Sequence, residues 1–226
     1  MRTLSGVSGA LVGFLHILTT VGIAMAAQAV VVDGDTLDLG GQKYRLFGID
    51  APEHAQSCHT PAGGNWACGL AATAEMVRLT ANKDVQCDDR GKDGFHRILA
   101  VCLANGANLN AAMIDGGFAW AFVKFSDMFV APEAVARTKR IGVWQAPSEA
   151  PWDFRADRWK AAAQAAPNGC AIKGNISTNG HIYHVPWDRD YNRTKVSPEK
   201  GERWFCSELE ALDAGWRAPL WGTATR

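Results

Sequence analysis

Within the short stretch VVVDGDTLDLGGQKYRLFGIDAPE, from Val30 to Glu53, the sequence delivers Asp33, Asp35, Arg45, Asp50 and Glu53. Carboxylate oxygens are hard donors, and several of them gathered at one point suit a hard cation such as Ca2+. Asp-Gly alone is equally a turn signal, so the elements around it must decide. Val30 to Val32, Thr36 to Leu39 and Tyr44 to Ile49 are β-branched or alternating runs, and Gly40-Gly41 lies between the last two. Such runs bounded by turn residues read as a hairpin. Asp35 stands near the start of one strand and Asp50 just beyond the end of the next. Antiparallel pairing across Gly40-Gly41 would therefore bring both carboxylates to the same end.

Three segments extend this picture. Asp33-Gly34-Asp35-Thr36 is followed by Arg45-Leu46-Phe47-Gly48-Ile49-Asp50-Ala51-Pro52-Glu53, and then by Asp93-Gly94-Phe95-His96-Arg97 ahead of an alternating strand. In order and spacing, over roughly residues 30 to 145, they resemble the thermonuclease family of staphylococcal or micrococcal nuclease type. The resemblance implies an α+β, mainly β fold: a five-stranded OB-like Greek-key barrel with about three helices, here followed by a small C-terminal module. It implies Ca2+ held by Asp35, Asp50 and the backbone carbonyl of Ala51, and an attacking water polarised by Glu53, as general base or as an orienting group. Arg45 and Arg97 would form a guanidinium clamp on the scissile phosphate. The implied reaction is hydrolysis of DNA and RNA without strong sequence specificity, leaving 3′-phosphate ends.

The chain departs from the family where tyrosines and a lysine hold the nucleotide. The corresponding stretches give Gly94, Phe95, Val123 and Phe125. Phe95 and Phe125 can still stack on a base, but the hydroxyl hydrogen bonds are lost, so short nucleotides should bind more weakly. His96 takes a position usually held by Gly and is expected to be a solvated loop residue. Asp33 either biases the turn or holds a metal-bound water, and Thr36 either bonds a ligating carboxylate or satisfies the strand end. The alternative function is a non-catalytic barrel that binds nucleic acid or oligosaccharide. Retention of all five charged groups, Asp35, Arg45, Asp50, Glu53 and Arg97, weighs against it.

Residues 1–29 carry one early charge, Arg2, then an apolar stretch from Ala10 to Ala27 ending in the small-residue patterns Ala24-Met25-Ala26 and Ala27-Gln28-Ala29. That is the composition of a secretory signal cleaved after about Ala26 to Ala29, the alternative being an uncleaved membrane anchor, against which Gly13, His16, Gly22 and the small-residue end argue. The protein is then expected to be secreted or periplasmic, with no transmembrane segment after cleavage. All six cysteines lie beyond it, and an even count in an exported chain favours disulfides. Proximity suggests Cys58 with Cys68, Cys87 with Cys102, and Cys170 with Cys206. The last pair, with His181 and His184, could instead bind zinc, although the spacing is not that of a Cys-x-x-Cys site.

The formal net charge is +0, and loss of Arg2 leaves 22 basic against 23 acidic residues. Long-range attraction to phosphates is then weak, and nucleic acid, the expected partner, must be gripped by local clusters. No stable protein partner is expected, and the protein should be a monomer.

The elements that must position these groups follow in order. A helix is expected over Cys68 to Leu79, short strands at Val85 to Cys87 and Ile98 to Leu103, and a helix over Asn108 to Ile114. Phe118 to Phe125 should be extended, and a helix should open at Pro132 and run from Glu133 to Arg140. The nuclease unit is expected at 30–146, a linker with a short helix at 147–168, and the C-terminal module at 169–226. Trp187, Tyr191, Trp204 and Trp216 in that module are either its core or, with Arg189, Arg193 and Arg217, a stacking and phosphate surface.

Overall fold

Gly40 and Gly41 both take positive φ, 63° and 92°, which a β-carbon would disfavour. They make the tight turn between two strands. The computed structural model describes residues 28–219; the expected signal segment lies outside the described residues except for Gln28 and Ala29. In chain order β1 (Val30–Val31), β2 (Thr36–Leu39) and β3 (Gln42–Leu46) form an antiparallel meander in which Thr36 pairs with Arg45. β4 (Ile49–Asp50) follows Gly48, which has φ 77°. A small hairpin, β5 (Cys58–His59) with β6 (Asn65–Trp66), is tied by the Cys58–Cys68 disulfide to the start of α1 (Cys68–Thr80).

β7 (Val85–Lys92) and β8 (Ile98–Ala104) pair antiparallel and are joined by the Cys87–Cys102 disulfide. β8 then lies parallel to β3, with Tyr44 opposite Ile98 and Arg45 opposite Leu99. With β9 (Ala107–Asn108) on the edge, the order β1-β2-β3-β8-β7 makes a six-stranded mixed sheet. It curls into a half-barrel of the OB type. α2 (Leu109–Asp115) is capped by Asn108, whose side chain accepts from the Ala111 N–H at 3.0 Å, the ordinary remedy for an orphan amide. β10 (Trp120–Ala121) pairs with β4, and α3 (Val130–Lys139) completes the unit.

The barrel core is Leu37, Leu46, Ile49, Met76, Leu109, Met113 and Ile114, all essentially inaccessible. Each such side chain contributes on the order of 1.5–3 kcal/mol. Asn110 is buried among them with every polar atom used. It donates to the Phe47 and Ala100 carbonyls at 2.9 and 3.1 Å and accepts from the Cys102 N–H at 3.0 Å. One side chain thus fastens α2 to the loop after β3 and to β8.

Several boundaries differ from expectation. β7 runs on to Lys92, because pairing with β8 resumes past an irregularity between Asp89 and Lys92. Of Phe118 to Phe125 only Trp120 and Ala121 are strand; after them the chain turns, with the Phe125 N–H donating to the Phe122 carbonyl at 3.2 Å. α3 starts at Val130, so Pro132 is its third residue. The first turn has no intrahelical partner for its N–H groups, which makes the ring tolerable there.

Beyond the barrel, α4 (Pro151–Ala165) begins with proline at its first position, where φ is preset for a helix. It leads to a three-stranded antiparallel sheet of β11 (Ile172–Ser177), β12 (Gly180–His184) and β13 (Arg203–Phe205), and then to α5 (Glu208–Asp213). Its core is Ile172, Tyr183, Val185, Phe205, Ala211 and Trp216, with Trp159 of α4 and Trp187 packed against it. Trp216 and Tyr191 are therefore core residues rather than a stacking surface. Cys170 and Cys206 are bonded to each other, His181 stacks on Trp216, and His184 Nε2 meets Asn175 Oδ1 at 3.1 Å. The alternative zinc set is not assembled. Among the described residues no helix is long and apolar enough to cross a membrane.

Candidate active site

The turn before β2 is shaped for its carboxylate. Asp33 Oδ1 accepts the Asp35 N–H at 3.0 Å, a local bond that fixes the turn. Gly34 lies so close to Ala51 and Ala72 that an added β-carbon would meet theirs at 2.8 and 2.9 Å. Asp35 is buried, its Oδ1 accepting from Thr36 Oγ1 at 3.1 Å and its Oδ2 from the Ala51 N–H at 3.0 Å. Asp50, ending β4, is wholly buried. Arg45, projecting from β3, donates from Nη1 to Asp35 Oδ1 at 2.7 Å and from Nη2 to Asp50 Oδ1 at 2.8 Å. One planar fork therefore spans the two carboxylates, a match that a lysine ammonium does not make.

Glu53 sits in the loop after β4. Its N–H donates to Gln56 Oε1 at 3.1 Å, and Gln56 Nε2 donates to the Glu149 carbonyl at 2.8 Å. The buried Gln56 thereby links the Glu53 loop to the segment that opens α4. From α4, Arg155 reaches across. Its Nη1 donates to Asp50 Oδ1 at 3.0 Å and to Glu53 Oε1 at 2.7 Å, and its Nη2 to Asp50 Oδ2 at 2.7 Å.

Arg97 stands one residue before the β8 segment that pairs with β3. Its Nε donates to Asp93 Oδ2 at 2.7 Å, and its backbone N–H is held by Asp93 Oδ1 at 3.0 Å. Its two terminal nitrogens make no hydrogen bond among the described residues. The guanidinium lies over the Phe95 ring, 5.3 Å from its centre.

Asp35, Arg45, Ala51, Glu53, Arg97, Phe95 and Phe125 all line one cleft of about 800 Å3. Asp50 lies beneath it, held by the two arginines. Phe125 is more than half exposed at the cleft and Phe95 about a third. His96 is well exposed, with Nε2 3.5 Å from Asp213 of α5. The far side of the cleft comes from beyond the barrel: Trp152, Arg155 and Trp159 of α4, Tyr183 of β12, Trp187 in the turn after it, and Glu208 of α5. Tyr183 donates its hydroxyl to Glu208 Oε2 at 3.1 Å.

Burial raises the Asp35 carboxyl, against the pull of Arg45. Burial likewise pushes Glu53 up to about 8, against the pull of Arg155. For Arg45 and Arg155, burial works against the charge, but the facing carboxylates outweigh it and hold both fully cationic. The site is thus a chain of alternating charge, carboxylate to guanidinium, in which no buried carboxylate lacks a partner.

The oxygens of Asp35 and Asp50 are the hard donors that a cation of the calcium or magnesium class takes, and all four accept hydrogen bonds here, from Thr36, Arg45, the Ala51 N–H and Arg155. Their chemistry fits such a cation. Among the described residues no three His, Cys, Asp or Glu side chains form a metal cluster, so carbonyl oxygen and water would complete its shell.

Arg155, Tyr183 and Glu208 were not among the site residues expected from the sequence, and Trp187 was expected only as module core or as part of a separate stacking surface. For Arg155 a signal exists. Trp152, Arg155, Ala156 and Trp159 recur at helical spacing after a helix-opening proline, so the arginine shares a face with two large aromatics.

Residues 43–146 match the family described as staphylococcal nuclease homologue. The chain is 31% identical over 127 residues to a succinoglycan biosynthesis protein, ExoI, of Rhizobium meliloti, covering 54% of this chain and 65% of that protein. It is 30% identical over 156 residues to a micrococcal nuclease of Shigella flexneri, covering 61% of this chain and 81% of that one. To Protein ParB of Escherichia coli it is 31% identical over 144 residues, 55% of this chain and 75% of the other.

Proposed function

Because the chain belongs to the staphylococcal nuclease homologue family, we propose that it is an exported, calcium-dependent endonuclease that hydrolyses phosphodiester bonds of DNA and RNA without strong sequence preference. The observation that carries this reading is the Arg45 fork across Asp35 and Asp50, on the same cleft as Glu53 and Arg97. Export is supported by three disulfides, which persist in oxidising compartments.

In this reading Asp35, Asp50 and the Ala51 carbonyl hold Ca2+. When bound, the ion supplies a Lewis acid for a phosphate oxygen. Glu53 accepts a proton from the attacking water. The water oxygen forms a bond to phosphorus while the bond to the 5′-oxygen breaks, the leaving oxygen takes a proton from solvent, and the phosphate stays on the 3′ side. Arg97, whose terminal nitrogens make no hydrogen bond among the described residues, and Arg45, through the N–H groups it does not give to Asp35 and Asp50, would answer the charge that builds on phosphorus. Phe95 and Phe125 would stack on the flanking bases. Residues 30–146 are the nuclease unit, 147–168 its connection and 169–226 an appended module, in a monomer with no stable protein partner.

Plasmid digestion with Ca2+ or with chelator, using Glu53→Ala and Arg97→Ala as controls, tests the reading. Cleavage should require the ion and collapse in both variants. Digestion that persists in chelator, or variants as active as the parent, would overturn it.

A further inference from the structure

Arg155 lies beyond residues 43–146, the part of the chain that matches the family. Even so, it makes the only hydrogen bond to the Glu53 carboxylate among the described residues. A glutamate side chain has several torsions, and fixing them costs up to about 2 kcal/mol of rotamer freedom. A group meant to take a proton from a placed water must be held against that freedom. The Glu53 backbone is fixed by Gln56 and its carboxylate by Arg155.

Arg155 is itself well anchored. It contacts both oxygens of Asp50, which is wholly buried, and its side chain is mostly covered. Trp152, one turn before it, packs on Phe122 with ring centres 5.7 Å apart; Trp159, one turn after, packs on Trp187 at 6.3 Å. Nη1 is shared between Asp50 Oδ1 and Glu53 Oε1, so one nitrogen sets the separation of the two acids. Glu53 Oε2 is left without a hydrogen bond among the described residues.

We propose that Arg155 is a positioning residue, which fixes the Glu53 carboxylate against Asp50 and leaves its second oxygen available to water. This rests on the reading of Glu53 as the group that accepts the water's proton. Helix α4 then contributes to the working site as well as connecting the barrel to the C-terminal sheet. An arginine that instead gripped the substrate phosphate would show itself in substrate binding.

The test uses the full chain at saturating Ca2+, with a single-stranded oligonucleotide as substrate and kcat and KM measured separately. Arg155→Gln should lower kcat on the order of 100-fold while KM moves less than about threefold, the pattern of a group that acts on the transition state alone. Arg155→Lys should recover part of kcat, since an ammonium can still meet one carboxylate. In a Glu53→Gln background Arg155→Gln should cost less than about threefold, because residues that act through one another are not additive.

Melting curves establish that each variant is folded, and the lysine variant with its own double mutant serves if the glutamine variant is not. A loss carried in KM, a loss undiminished in the Glu53→Gln background, or unchanged kinetics would each overturn the proposal. Glu53→Gln as active as the parent would instead sink the reading of Glu53, and this proposal with it.

Discussion

Gly69, the second residue of α1, faces the Glu53 carbonyl so closely that a β-carbon on it would fall inside that oxygen. Gly69 also donates its N–H to the Gln56 carbonyl at 3.2 Å, so the helix start and the Glu53 loop are packed backbone to backbone. Replacing glycine by alanine within a helix ordinarily gains about 0.5–1 kcal/mol. Here overpacking should outweigh that gain. Gly69→Ala is expected to lose at least about 2 kcal/mol in urea unfolding and to cut nuclease activity by moving Glu53. A more stable, fully active variant would refute the contact.

Arg45 neutralises two buried carboxylates at once. Arg45→Lys keeps the charge but loses the fork, and cleavage should fall by roughly 100-fold or more. Arg45→Met leaves Asp35 and Asp50 without that partner and should cost about 3–5 kcal/mol of stability. Steady-state rates and chemical denaturation measure the two effects. Equal activity of the lysine variant would mean that planarity at this position is irrelevant.

Asn110 tests the barrel independently of the chemistry. Asn110→Ala strands the Cys102 N–H and removes the donor shared by the Phe47 and Ala100 carbonyls. Each buried group left unsatisfied costs about 1–3 kcal/mol. The melting temperature should drop clearly while the residual folded protein keeps its KM.

Burial raises the Glu208 carboxyl above its ordinary value, with Arg97 and the Tyr183 hydroxyl pulling the other way. A raised carboxyl favours folding most when protonated. That contribution is complete below the ordinary glutamate value, about 4.3, and is lost as pH climbs through the folded-state value. Glu208→Gln keeps an acceptor for Tyr183 and cannot ionise. Its melting temperature should therefore gain on the parent's as pH rises from about 4 towards neutrality; a difference that stays constant across that range would show that Glu208 does not titrate as its burial implies.

The Cys170–Cys206 bond closes a separation of 36 residues around the C-terminal sheet. Chain-entropy reasoning puts its contribution between about 3 and 5 kcal/mol. The Cys170→Ser/Cys206→Ser double variant should melt at lower temperature, and limited proteolysis should cut first between those positions. Because this sheet walls the cleft, activity should decline in parallel. Loss of stability with unimpaired cleavage would show that the wall does not shape the site.

Much of the barrel was legible in the sequence because its signals are local. Gly40-Gly41 between alternating runs specifies a hairpin, and Asn108 before an apolar run specifies a helix start. The cysteine pairs follow from closeness in the chain. Boundaries failed where distant pairing intervened: β7 outran its local pattern because β8 continues beside it, and Phe122 to Phe125 left the extended state because β4 offers only two residues to pair with.

By itself the sequence determined the acids, the guanidiniums and the turns that present them, since motif spacing and turn chemistry act over a few residues. Only the tertiary structure decided what those charges meet. Arg155 is 105 residues from Asp50 in the chain and touches both its oxygens. Tyr183 and Glu208 close the cleft from a sheet that no local pattern places there. The reason is physical: a buried carboxylate must be neutralised by whichever cation the packing of distant aromatic faces delivers, and such packing leaves no periodic trace beside the residue it serves.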